Sequence, residues 1–127
     1  ELGYVPWKSS LSSLASIREK IAGSEISEAF DNYTLSIMSN IVSTLSKDLD
    51  KPANNHTFAL FRSYILMQAV LYGDMSVTTT IFNIFESFRL NSSKIDADLT
   101  DVVYTAGIIA GNETQFEFLW DRYLTSL

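Results

Sequence analysis

Thr57-Phe58-Ala59-Leu60-Phe61-Arg62-Ser63-Tyr64-Ile65-Leu66-Met67-Gln68-Ala69-Val70-Leu71 is the stretch that decides the fold. Wound at 3.6 residues per turn, Phe58, Leu60, Phe61, Tyr64, Ile65, Leu66, Met67, Ala69, Val70 and Leu71 surround most of the circumference. A helix that is apolar nearly all round packs on more than one side. The stretch is too short, and too interrupted at Gln68, for the roughly 20 apolar residues of a membrane span. It therefore predicts a buried central helix with other helices laid around it.

The flanking sequence supplies those helices. Upstream, Phe30, Tyr33, Ile37, Ile41 and Leu45 recur at three- and four-residue steps, the stripe of an amphipathic helix. Ser24 to Glu28 can cap it, and Lys47-Asp48-Leu49-Asp50-Lys51-Pro52 closes it. Before it, Pro6 opens a helix with the stripe Trp7, Leu11, Leu14, Ile17 and Ile21, ended by Gly23. Asn54-Asn55-His56-Thr57 is a polar restart ahead of the central helix. Downstream, Gly73-Asp74 makes a tight turn into a fourth helix carrying Val77, Ile81, Ile84, Phe85 and Phe88. The β-branched run Thr78-Thr79-Thr80 is outweighed by that spacing, because helix propensity is a weak term. After the polar Asn91–Lys94 connection, Asp96 or Asp98 caps a fifth helix with Leu99, Val102, Val103, Ala106 and Ile109 on its buried face. Gly111 stops it, Asn112 restarts the chain, and Phe116, Leu119, Trp120, Tyr123 and Leu127 mark a sixth.

About six helices joined by short connections run antiparallel to their neighbours. Helices three to six read as two successive hairpins of about 30 to 40 residues, the scale of a HEAT-type repeat. The expected architecture is all-α: antiparallel helix pairs stacked as a HEAT/ARM-like α-solenoid fragment, with residues 1–127 forming a single segment. Only five Gly and two Pro punctuate the chain, too few for the many turns of a sandwich or barrel. An apolar fraction of 46% with 19% charged residues argues against disorder. The net charge is −6 and the nine Lys and Arg form no basic stripe, which argues against nucleic acid as a partner. Cysteine is absent, so disulfides and Cys-ligated metals are excluded from the segment. The chain opens on Glu1-Leu2-Gly3 with neither initiator Met nor a signal-like segment, and is expected to be a piece of a longer protein.

Little in the sequence points to catalysis. His56 is the only histidine, so any zinc site or Ser–His–Asp triad would have to use that one imidazole; its setting reads as a helix start facing water. Asp48 and Asp50, like Asp96 and Asp98, superficially resemble calcium ligands. Neither pair has the Gly and downstream Glu of an EF-hand loop, so they read as capping and solvating residues. Glu25 and Glu28 sit where a helix dipole favours acids. No Gly-rich phosphate loop is present. No catalytic or metal-binding residue is assigned, and no residue is assigned to substrate binding. Four sequons stand out: Asn32-Tyr33-Thr34, Asn55-His56-Thr57, Asn91-Ser92-Ser93 and Asn112-Glu113-Thr114. Chance would give roughly one in a chain of this size. Asn32, Asn55, Asn91 and Asn112 are therefore candidate glycosylation sites. The competing reading is that Asn and Thr simply cap helices, as Asn55 and Asn112 can.

Gly3-Tyr4-Val5-Pro6-Trp7 running into Leu11-Ser12-Ser13-Leu14 resembles the start of the helical C-terminal domain of M1-family zinc aminopeptidases. Further landmarks follow in the same order: Tyr64-Ile65-Leu66 leading to Gly73, Phe82-Asn83-Ile84-Phe85, Ile95 with Asp98-Leu99, Val103-Tyr104, and Phe118-Leu119-Trp120-Asp121-Arg122-Tyr123. The resemblance covers nearly the whole chain and is nearest the aminopeptidase N and endoplasmic-reticulum aminopeptidase branch. It implies a non-catalytic domain of HEAT-like repeats that closes over the catalytic domain, encloses the substrate chamber and shapes peptide access and length selection. It also implies a parent enzyme that removes N-terminal residues, with zinc held elsewhere by an HExxH helix and a distant Glu. The implied partners are the catalytic domain of the same chain, peptide substrate and a homodimer contact. A membrane would be met only through an anchor outside the segment.

The sequons favour an extracellular or secretory-pathway ectodomain. Ectodomain members often carry a disulfide across the turn after the central helix, where this chain has Val70 and Val77. Thr105 stands where a Cys is usual and Thr100 where an Arg is common. Those departures fit a cytoplasmic member, or a divergent paralogue without activity. A helical-repeat interaction scaffold and a catalytically inactive aminopeptidase-like receptor are the alternatives to the chamber domain.

Overall fold

The computed structural model describes residues 3–127. They form six α-helices and no strand: α1 (Tyr4–Ile21), α2 (Ser27–Leu45), α3 (His56–Leu71), α4 (Met75–Asn91), α5 (Thr100–Ala110) and α6 (Glu113–Thr125), with one 3-10 turn (Ala97–Leu99) leading into α5. The all-α class and the helix count expected from periodicity are what the chain adopts. α1 begins two residues earlier than Pro6 suggests, with Gly3 as N-cap. Pro6 then falls in the first turn, where its missing N–H costs nothing.

α3 is the hub. It packs against α1, α2, α4, α5 and the 3-10 turn, as its nearly all-round apolar surface predicts, and it buries Phe61, Ile65, Leu66, Ala69 and Val70. The core runs continuously from Leu11 of α1 through Met38, Ile41 and Leu45 of α2 to Ile81 and Phe85 of α4 and Val102, Val103 and Ala106 of α5. Between α3 and α4 the chain turns through 115°, so this pair is splayed rather than fully antiparallel. Among the described residues no single helix is long and apolar enough to cross a membrane.

Side-chain hydrogen bonds fix three of the helix starts. α2, with Ile26 at its N-cap position, lacks the cap expected from Ser24 to Glu28, because the Ser24 hydroxyl donates back to the Ile21 carbonyl. The Asn55 Oδ1 accepts from the Phe58 amide at 2.8 Å, and the Asp74 Oδ1 from the Val77 amide at 3.0 Å. α6 begins with a reciprocal box: Asn112 Oδ1 accepts from the Thr114 N–H at 2.9 Å, and Gln115 Oε1 from the Asn112 N–H at 2.9 Å. The expected restarts at Asn55 and Asn112 are thus real caps.

Three apolar stripes turn differently from the sequence expectation. On α2 the buried face is Thr34, Met38, Ile41, Val42 and Leu45, while Tyr33 and Ile37 are exposed. Thr34 enters the core because its hydroxyl donates to the Phe30 carbonyl at 3.0 Å, so no polar group is stranded. On α5 Ile109 is exposed, and Gly107 takes the inner position beside Phe85. On α6 Phe116, Trp120 and Tyr123 face outward, and Leu127, expected to continue the stripe, lies exposed beyond the helix end. Only Gln115 is buried, with Phe118 and Leu119 half-buried against the core. A stripe fixes one side of a helix but not which neighbour is there to cover it.

Candidate functional site

The residues that carry chemistry are scattered. His56 is the exposed first residue of α3. Asp48 adopts a left-handed backbone at φ 56° and lies 3.5 Å from the exposed Lys51 ammonium. Asp50 faces a separate groove. Among the described residues no group of three or more His, Asp or Glu side chains is placed to hold a metal ion.

Asp96 and Asp98 do not cap α5 with their side chains; both turn to Arg62. The Arg62 side chain is 97% buried in the middle of α3 (3% exposed). Its Nη2 donates to Asp98 Oδ2 at 3.0 Å and lies 3.8 Å from Asp96 Oδ2, and its Nη1 donates to the Lys51 carbonyl at 2.9 Å. Nε has no partner. One guanidinium thus ties the α2–α3 and α4–α5 connections to the hub helix. A cation inside an otherwise apolar helix demands a carboxylate across from it, and that was the available signal for the Asp96–Asp98 role.

A second arginine, from α1, ties α2 to the C-terminal end of α3. Arg18 forms a fork with Asp31, Nε to Oδ1 at 2.8 Å and Nη2 to Oδ2 at 3.1 Å, and Nη2 also reaches the Leu71 carbonyl at 3.1 Å. Its guanidinium lies 4.5 Å from the centre of the Tyr72 ring. The hydrogen bonds to Asp31 raise the Arg18 pKa above its usual value. Burial raises that of Tyr72, whose hydroxyl has no hydrogen-bond partner among the described residues. Arg18 and Tyr72 line an open groove of about 580 Å³ with Glu19, Ser27 and Gln68. Another groove, about 340 Å³, lies between α4 and the loop after it, lined by Asp50, Asn83, Ser87, Lys94 and Asp96.

The third charged cluster joins α4 to α6. Arg89 donates to both oxygens of Glu86, at 2.7 and 2.8 Å. Those bonds, with a further one from Gln115, hold the Glu86 carboxyl below its usual pKa. The Phe85 ring packs edge-on against Tyr104 and Phe118, at centroid distances of 6.3 and 5.9 Å. Outside this contact, α6 presents a ridge to solvent in which Phe116 stacks on Trp120 and Trp120 leans on Tyr123. All three are half-exposed. Asn32, Asn55, Asn91 and Asn112 are each exposed. Of these features the sequence showed the sequons, the caps at Asn55 and Asn112, and the aromatic positions. The arginine-centred clusters link residues up to 53 positions apart, and no local pattern names the partners.

The family model that matches is the ERAP1-like C-terminal domain, over residues 1–127. Aminopeptidase N of Plutella xylostella is 24% identical over 124 residues, covering 97% of this chain and 13% of that protein. Aminopeptidase N of Canis lupus familiaris is 26% identical over 132 residues, again 97% of this chain and 13% of the relative. No solved structure matches the chain significantly. The chain therefore spans about an eighth of the relatives it resembles. Matched from end to end, it belongs to the ERAP1-like C-terminal domain family, as a C-terminal domain of aminopeptidase N-like proteins.

Proposed function

We propose that the chain is the non-catalytic helical domain of a zinc aminopeptidase, where it encloses the substrate chamber and shapes peptide access and length selection. The observation that carries this reading is the end-to-end family match, with two relatives named aminopeptidase N that are far longer than the matched part. The parent would supply the zinc and the peptide-cleaving groups from a separate catalytic domain, which is the first partner of these helices. The remaining partners are peptide substrate and a second copy of the parent.

Several features support a bounding rather than a reacting role. The helices are pinned by buried or half-buried arginines, which suits a wall that keeps its shape. The net charge of −6 gives an acidic surface able to attract the protonated amino terminus of a peptide. The helix pairs are read as part of an α-solenoid whose curvature would form the concave wall. The four sequons favour a secretory-pathway or extracellular parent, held to a membrane only by an anchor outside these residues.

The exposed α6 ridge gives a second reading its footing: an interaction scaffold, or an aminopeptidase-like receptor without activity, would use such a surface. One experiment separates the two. Zinc content and release of N-terminal residues are measured for the full-length parent, with the 127-residue chain as control, on a ladder of peptides of increasing length. The chamber reading expects stoichiometric zinc, turnover that varies with peptide length, and an inert fragment. A parent that binds no zinc and releases no N-terminal residue leaves the scaffold or receptor.

A further inference from the structure

We propose that Asn55, Asn91 and Asn112 are N-glycan acceptors, and that Asn32 is the weak member of the four sequons. The inference rests on the secretory-pathway reading of the parent. The structure separates the sites in a way the motif alone does not. At Asn55, Asn91 and Asn112 both the asparagine and the hydroxyl residue two positions on, Thr57, Ser93 or Thr114, are exposed. At Asn32 the asparagine is exposed, but Thr34 is fully buried and its hydroxyl is committed to the Phe30 carbonyl. Once α2 has packed, that sequon no longer presents its second half.

The caps do not compete with the sugar. Asn55 and Asn112 cap their helices through Oδ1, which accepts the Phe58 and Thr114 amides, and among the described residues no hydrogen bond occupies Nδ2 of either. Nδ2 is the atom that is glycosylated. It attacks C1 of a lipid-diphosphate-linked oligosaccharide: the Nδ2–C1 bond forms, and the C1–O bond breaks. The lipid diphosphate leaves with the electron pair, and one amide proton passes to a base of the transferase. The product is still an amide with its carbonyl oxygen in place, so the cap survives modification. One side chain serves two purposes through two different atoms.

The test uses the full-length parent expressed in an animal cell line, with a reporter sequon fused at its C-terminus. Peptide mapping after glycosidase treatment in heavy-oxygen water reads the occupancy of each asparagine. Asn55, Asn91 and Asn112 are expected to be occupied in most molecules, and Asn32 in a minority. A modified reporter with the three bare overturns the proposal while the secretory reading stands, as does a ranking with Asn32 foremost. An unmodified reporter removes the secretory reading and the proposal together. Hydrogen exchange at the Phe58 and Thr114 amides then tests the division of labour. The double variant Thr57→Ala with Thr114→Ala loses two glycans and keeps its protection, whereas Asn55→Ala with Asn112→Ala loses both glycans and several-fold in protection. Equal loss in the two variants overturns the separation of the cap from the sugar.

Discussion

Gly107 and Arg62 are the two residues on which the interior depends most visibly. A Cβ at Gly107 would lie 2.7–2.9 Å from three atoms of the Phe85 ring, and that ring is held edge-on by Tyr104 and Phe118. Gly107→Ala gains about 1 kcal/mol of helix propensity, but overpacking a filled core costs typically 1–3 kcal/mol. The ring has nowhere to go, so the net effect is expected to be destabilising. In urea unfolding it should appear as a lower midpoint with an unchanged slope. Arg62→Ala strands the Lys51 carbonyl and leaves two carboxylates facing each other across the vacated space. Since Asp96 and Asp98 keep 31% and 23% of their side-chain surface in water, the loss should be about 2–4 kcal/mol, at or below the range for a fully buried pair. A double-mutant cycle with Asp98→Asn gives the coupling; an additive pair would show that Arg62 works through Lys51 and Asp96 rather than Asp98. The partners of Arg62 lie in two connections far from it in the chain, so its role required the tertiary structure.

At the scale of the helices, the limit of sequence reading is register. Stripes at three- and four-residue spacing located all six helices, yet on α2 the buried face is rotated from Tyr33 and Ile37 toward Thr34 and Met38. α6 shows the same more sharply. Phe116, Trp120 and Tyr123 form the stronger apolar stripe, but the half-buried residues are Phe118 and Leu119, which meet α4 and α5. Phe118→Ala is expected to destabilise by about 2–3 kcal/mol, toward the low end for core aromatics because the ring is only partly enclosed. Trp120→Ala should cost at most about 1 kcal/mol, the worth of its stacking on Phe116 and Tyr123. Thermal melts of the two variants provide the check, and the reverse order would mean that α6 sits in the other register. The ends of the helices were easier to read than their faces, because a cap is set by residues within three positions of one another. Asn55 and Asn112 are examples.

Across the whole molecule, the charged clusters predict how stability responds to pH. Glu86 is held below its usual value of 4.5 by Arg89 and Gln115. Its folded state therefore binds a proton less readily than the unfolded chain. The stabilisation is present above pH 4.5 and is lost as pH falls through the lower folded value. Tyr72 is raised above 10.0 by burial, so the folded state keeps its proton longer. That contribution is present below pH 10 and is lost as pH rises through the folded value. Denaturant midpoints measured against pH should show a plateau between these limbs. Glu86→Gln should flatten the acid limb and Tyr72→Phe the alkaline one. Tyr72→Phe should also be neutral or slightly stabilising near neutral pH, because it removes a buried hydroxyl that has no partner. The sequence by itself determined the class, the six helices, the central place of α3, the caps at Asn55 and Asn112, and the family. Those follow from periodicity and from contacts within a few residues, which are written locally in the chain. The tertiary structure alone decided which face of each helix is covered, which carboxylates answer Arg62 and Arg18, and which sequon has lost its hydroxyl to the core. Such choices depend on neighbours brought together from distant parts of the chain, and no local pattern encodes their arrival.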